Sequence, residues 1–187
     1  MLATLAFLLA FQAVSQIEVP TRPPTPLEQV PNVAVIPYEI RGDLALGLRR
    51  SMDELGPMTS NGIRVPVRTQ WRNQVRWSND ANGCLPQTSQ MTWQIETTVP
   101  AIAADAEAGP RMRARFDRYR QQLDAFEYGR AVRINAGMEA TLAAMRAAAD
   151  CDGLIEARRA GEAAIVQANR DYDLATARAR RNMRPLQ

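Results

Sequence analysis

RMRARFDRYRQQLDAFEYGRAVRINAGMEATLAAMRAAAD, residues 111–150, carries apolar residues at Met112, Phe116, Tyr119, Leu123, Phe126, Ile134, Met138, Leu142 and Met145. Steps of three and four residues, broken once by eight, follow the 3.6-residue repeat of an amphipathic helix and predict one long helix here. Gly109-Pro110 opens it, since a proline is tolerated in a first helical turn where its missing N–H has no partner to lose. Asp150 to Gly153 interrupt the pattern, and LIEARRAGEAAIVQANRDYDLATARARRN, residues 154–182, resumes it as a second long helix, most simply antiparallel to the first.

Upstream, the periodicity changes from helical to alternating. RVPVRTQWRNQVRW, residues 64–77, places Val65, Val67, Thr69 and Trp71 on one face and Arg64, Arg68, Gln70 and Arg72 on the other, as in a half-buried antiparallel strand. After the turn-forming SNDANG at 78–83, residues 88–99 set Met91, Trp93, Ile95, Thr97 and Val99 against Thr92, Gln94, Glu96 and Thr98, with Pro100 expected to end the strand. Further upstream, VAVIPYEIRG at 33–42 reads as a first strand with Tyr38 and Ile40 on one face. Asp43 is placed to cap a short helix, LALGLRRSMDEL, that stops at Gly56-Pro57. Strands first and helices last predict an α+β fold: a small antiparallel sheet with one short helix, followed by two long C-terminal helices.

The segment before residue 38 divides in two. MLATLAFLLAFQAVSQ is an apolar run of signal-peptide length, with small residues at Ala13 and Ser15 and an expected cleavage after residue 15. It falls short of the roughly 20 apolar residues that a membrane span needs. Residues 16–37 hold half of the twelve prolines and read as a spacer, which leaves 38–187 as the single folded domain. The expected compartment is therefore periplasmic or extracellular, with no stable membrane span after cleavage.

Cys84 and Cys151, the two cysteines, lie far apart in sequence. In an exported chain they read as one structural disulfide, with two buried free thiols as the alternative. The net charge of +3, carried on the basic side by arginine alone, is too small to indicate a nucleic-acid partner. RMRARFDRYR concentrates five arginines against one aspartate and could face phosphates or anionic lipid, yet Phe116 and Tyr119 belong to the apolar stripe, so a solvated helix face accounts for the run. The chain has neither histidine nor lysine, which removes the usual bases for a serine or cysteine nucleophile. Among the acids, Asp171 and Asp173 sit two apart on a helix and do not share a face.

LDAFEYGRAVRIN, residues 123–135, adds a further pattern. Phe126, Glu127 and Arg130 occupy the spacing of the zinc-protease helix H-E-x-x-H, in which two histidines hold the metal and the glutamate is the general base. Around it the chain resembles a bacterial family of secreted zinc-dependent proteases over most of residues 38–179. The resemblance rests on Tyr38-Glu-Ile-Arg-Gly42, Leu55-Gly56-Pro57, the tryptophan-bearing strands, Cys84, Val99-Pro100, the 126–130 helix, Cys151 and Tyr172-Asp-Leu-Ala-Thr176, in that order.

The resemblance implies a zincin-like architecture with Glu127 at the position of the family's general base. It also implies metal ligands at Phe126, Arg130 and Arg178, none of which offers a donor to zinc, since phenylalanine has no lone pair and a guanidinium stays protonated. No cofactor is then expected, and the chain reads as a catalytically inactive, protease-like domain that binds a protein or peptide in the cell envelope. The alternatives are an active hydrolase with an unrecognised ligand set and an envelope structural protein. Residues 126 and 130 lie about 40° apart around a helix. Arg130 or Arg178 is accordingly expected to pair with Glu127 or Asp173, filling with a guanidinium the place of a dication.

Overall fold

The computed structural model describes residues 25–81, 83–183 and 186, so the signal peptide expected at 1–15 and the first part of the expected spacer lie outside the described residues. Strand β1 (Val33–Ile40) leads to helix α1 (Ala45–Leu55), strands β2 (Arg68–Asp80) and β3 (Gly83–Ile102), and the long helices α2 (Pro110–Arg146) and α3 (Cys151–Asn182). The fold is α+β, as the order of patterns predicts.

The sheet is mixed rather than antiparallel. β3 lies in the centre, antiparallel to β2 and parallel to β1. Ile40 at the end of β1 lies beside Ile102, and Arg68 at the start of β2 lies opposite Thr98, so α1 and the loop after it carry the chain around the C-terminal end of β3 from one edge to the other. Alternation along a strand records which face is buried and says nothing of the neighbour's direction, so this reversal is absent from the sequence pattern.

Strand limits also shift. β3 runs from Gly83 to Ile102 and passes through Pro100. Beyond Thr98 it has lost β2 as a neighbour and pairs only with β1, so a missing N–H at Pro100 is tolerated as it would be on an edge. The expected strand at 64–77 moves to 68–80, and the hairpin closes with Asp80 opposite Gly83 instead of a six-residue turn. Gly83 has φ +124°, a conformation that favours glycine. Asp43 does not cap α1, whose N-cap residue is Leu44 without a side-chain bond; its carboxylate instead accepts from the Leu44 N–H.

The expected spacer is partly structural. Thr25 and Glu28 exchange hydrogen bonds as a capping box over a short 3-10 turn at 27–29, and Leu27 and Val30 are buried. Burial of side chains of this size contributes about 1.5–3 kcal/mol each. The folded unit thus begins well before residue 38.

Two apolar clusters make up the core. One joins Met91 and Ile95 of β3 to Ala131, Ile134, Met138 and Met145 of α2 and Leu154 and Ile165 of α3. The other joins Ile40, Leu48 and Met52 to Phe116, Tyr119 and Leu123 at the first half of α2. α2 and α3 approach closely where side chains are missing: a Cβ on Gly129 would meet the Tyr172 hydroxyl at 2.3 Å, and one on Gly161 would meet Thr141 at 2.1 Å. Cys84 at the start of β3 and Cys151 at the start of α3 form a disulfide across 67 residues, closing the expected pair. Among the described residues no helix is long and apolar enough to cross a membrane.

Candidate functional site

Between the two clusters the buried face of α2 turns polar. Arg120, Asp124 and Glu127 are buried there, in steps of four and three that keep them on one helical stripe. Arg120 is satisfied internally, its Nε donating to Asp124 at 2.9 Å and its Nη1 to the Pro100 carbonyl at 2.9 Å. Glu127 is different, because its partners come from three separate elements.

The Glu127 side chain is 2% exposed and accepts three hydrogen bonds. They come from Thr69 Oγ1 of β2 at 2.7 Å, Arg130 Nε one turn along α2 at 3.0 Å, and Arg180 Nη2 of α3 at 2.7 Å. Thr69 Oγ1 also lies 2.8 Å from Thr97 Oγ1. A carboxylate can only accept, so the Thr69 proton goes to Glu127 and Thr97 donates to Thr69. β2 and β3 place both threonines on the inward face, in register, which the alternation predicts for each of them.

Asp173 completes the cluster. Arg130 forks onto it with Nη1 at 3.2 Å and Nη2 at 2.5 Å, and Arg180 Nη1 reaches it at 3.1 Å. Two guanidinium groups and two carboxylates therefore alternate in a closed, neutral ring. Burial pulls the Arg130 pKa down, but the charge of Glu127 and the hydrogen bonds to Asp173 outweigh it and leave the guanidinium raised above its ordinary value. Tyr172, beside Asp173 in the chain, donates to the Phe126 carbonyl at 3.0 Å and has the Arg133 guanidinium 4.1 Å from its ring centroid, so it holds α3 against α2 at this level.

The expected residues fall in three places. Arg130 pairs with Glu127, one turn along the same helix, and with Asp173 across on α3, both among the pairings expected from the sequence. Arg178 is exposed and does not line the site; Arg180, two residues on, takes the place expected for it. Asp173 and Arg180 are two turns apart and share a face, whereas Asp173 and Arg178 do not. Phe126 is not core as its place on the apolar stripe predicts: it is half-buried, with the Arg180 guanidinium 5.5 Å from its ring centroid, because the buried stripe passes through Glu127 instead. The sequence reading missed Arg180 and Thr69. The signal available for both was position, Arg180 at i+7 from Asp173 and Thr69 at an inward place in a strand.

Donors suited to zinc are lacking at the three positions that the protease resemblance makes ligands, and the nearby carboxylates already carry arginine partners. Phe126 has no donor atom and Arg130 and Arg178 present guanidinium groups, so the residues present do not fit a zinc ion. Asp171, the other acid weighed from sequence, lies elsewhere and accepts from Gln167.

The cluster opens into a cavity of 490 Å³ between β2, α2 and α3. Tyr119 forms part of its wall, and burial, with the charge of Asp53, pushes the phenol from 10.0 up to about 12. The folded chain thus holds this proton more tightly than the unfolded chain. The contribution is intact below about pH 10 and is lost as the pH rises through about 12, amounting to as much as about 3 kcal/mol. Denaturant titrations from pH 9 to 12 are expected to show this loss, and Tyr119→Phe is expected to reduce it without removing it, because burial also raises Tyr38; an equally steep loss in the variant would assign all of it to other groups.

A family model for a bacterial protein of unknown function, DUF922, matches residues 35–180. No curated protein and no solved structure matches the chain.

Proposed function

We propose, for a chain that belongs to the DUF922 family of bacterial proteins, a role as an inactive zinc-protease-like domain in the periplasm or outside the cell, binding a protein or peptide. The observation that carries this reading is the closed ring of Glu127, Arg130, Asp173 and Arg180. In a zincin-like frame the glutamate would stand beside a dication and act on its bound water. Here two guanidinium groups supply the positive charge, and they hold Glu127 as an ion-pair partner. With its side chain 2% exposed and three hydrogen bonds already accepted from Thr69, Arg130 and Arg180, the carboxylate offers little free lone-pair surface to a water. The Cys84–Cys151 disulfide supports an oxidising compartment.

The test is metal content together with peptidase activity on unfolded protein, using the full chain. The natural protein is expected to retain no stoichiometric zinc after dialysis and to cleave nothing. Combining Phe126→His and Arg130→His with Arg180→Ala, which releases Glu127, is expected to create zinc affinity from two imidazoles and a carboxylate. Tight zinc in the natural chain, with proteolysis abolished by a chelator, would replace this reading with that of an active metallopeptidase using another ligand set.

A further inference from the structure

The cavity over the ion-pair ring has two kinds of wall. Val65, Val67, Leu123 and Met183 contribute apolar surface, and the ring forms a charged side. A volume of 490 Å³ lies within the range of sites that take small ligands or a single anchoring residue. Its charged lining residues are Arg68, Arg130 and Arg180 against Glu127 and Asp173, three positive and two negative, leaving +1. Arg68 has no carboxylate partner among the described residues and donates to the Met58 carbonyl.

The two carboxylates are not equivalent. Glu127 is 2% exposed and held by β2, α2 and α3 together, while the Asp173 side chain is 42% exposed. Arg130 and Arg180 both direct Nη atoms at Asp173. Asp173 therefore occupies a two-arginine fork at a solvent-reached part of the cavity lining, with Glu127 behind as a fixed counter-charge. A fork of this kind is matched to a carboxylate in shape and charge.

We propose that the cavity binds the C-terminal carboxylate of a peptide ending in an apolar residue. Arg130 and Arg180 hold that carboxylate in place of Asp173, and the wall of Val65, Val67, Leu123 and Met183 receives the last side chain. This rests on the peptide-binding reading above and names the ligand for it. A phosphate group carries nearly two charges and no apolar part, and a lining with a single excess positive charge and a mostly apolar wall suits it less well.

The test uses the full chain, with N-acetyl-leucyl-leucine, its C-terminal amide and inorganic phosphate as probes, followed by amide NMR shifts. The acid is expected to bind and to move resonances of residues 127–130 and 173–180, with the amide at least tenfold weaker. Asp173→Asn removes the internal competitor and is expected to tighten the acid about fivefold or more, and Arg180→Gln to abolish it. Equal binding of acid and amide would overturn the carboxylate fork while leaving a peptide-binding role in place. Phosphate binding as tightly as the acid would make the site a general anion site and overturn the proposal. No binding of the acid by either the natural chain or Asp173→Asn would overturn it as well, whereas zinc-dependent proteolysis in the natural chain would remove the reading beneath it.

Discussion

Glu127→Ala is expected to lower stability by about 3 kcal/mol, at the lower end of the cost of breaking a buried ion pair by removing one partner. For a chain of this size that is a fall of roughly 6–12 °C in Tm. The Glu127 side chain is 2% exposed, and its loss leaves the Arg130 and Arg180 side chains, 16% and 26% exposed, sharing Asp173 alone. Their partial exposure to water is what keeps the figure from being larger. Thr69 also loses its acceptor inside the fold. Adding Arg130→Leu and Arg180→Leu to Glu127→Ala is expected to recover much of the loss, because a buried ion-pair cluster can often be replaced by apolar groups at little cost. Thermal melts of Glu127→Ala, Arg180→Ala and the double variant decide the point. Costs that simply add would show no coupling between the two residues and would dismantle the ring as an energetic unit.

Cys84→Ser combined with Cys151→Ser is expected to cost more, roughly 4 kcal/mol, the chain-entropy value for closing a loop of this length. The bridge spans 67 residues, including the whole of α2, and ties the β2–β3 hairpin to the first turn of α3. Without it the ends of α3 and β3 are joined only by packing, and an early loss of cooperativity is expected there in hydrogen exchange. The measurement is the mass of alkylated, unreduced protein taken from an oxidising compartment, followed by melts of the natural and double-serine chains. Two alkylatable thiols in the natural protein would count against both the bridge and the assigned compartment, and equal melting temperatures would remove its contribution to stability.

Much of the architecture is legible without coordinates, because binary patterning is a property of neighbouring residues. The period of 3.6 from Met112 to Met145 is enough to specify α2, and Asp150 with Gly153 is enough to separate it from α3. Alternation at Thr69, Trp71, Ile95 and Thr97 is enough to identify inward faces that pair in register. Glu127 beside Arg130 is local too, since residues one helical turn apart are neighbours, and here they lie 3.0 Å apart.

Tertiary structure decided the remainder, and for one reason: each of those features depends on which distant segments become neighbours. β1 runs parallel to β3 because α1 and its loop cross the end of the sheet, which no strand records in its own alternation. Leu27 and Val30 leave the expected spacer because α2 and the sheet offer them a buried surface. Phe126 yields the core position to Glu127 because Thr69 and Arg180 converge there with the hydrogen bonds that make a buried carboxylate tolerable. Arg180 rather than Arg178 meets it because the contact between α2 and α3, set at Gly129 and Gly161, fixes the rotation of α3 about its axis. Composition and period specify which elements form and which side of each is apolar; the identity of a buried charge's partner is a long-range fact, settled only when the helices and the sheet have closed around it.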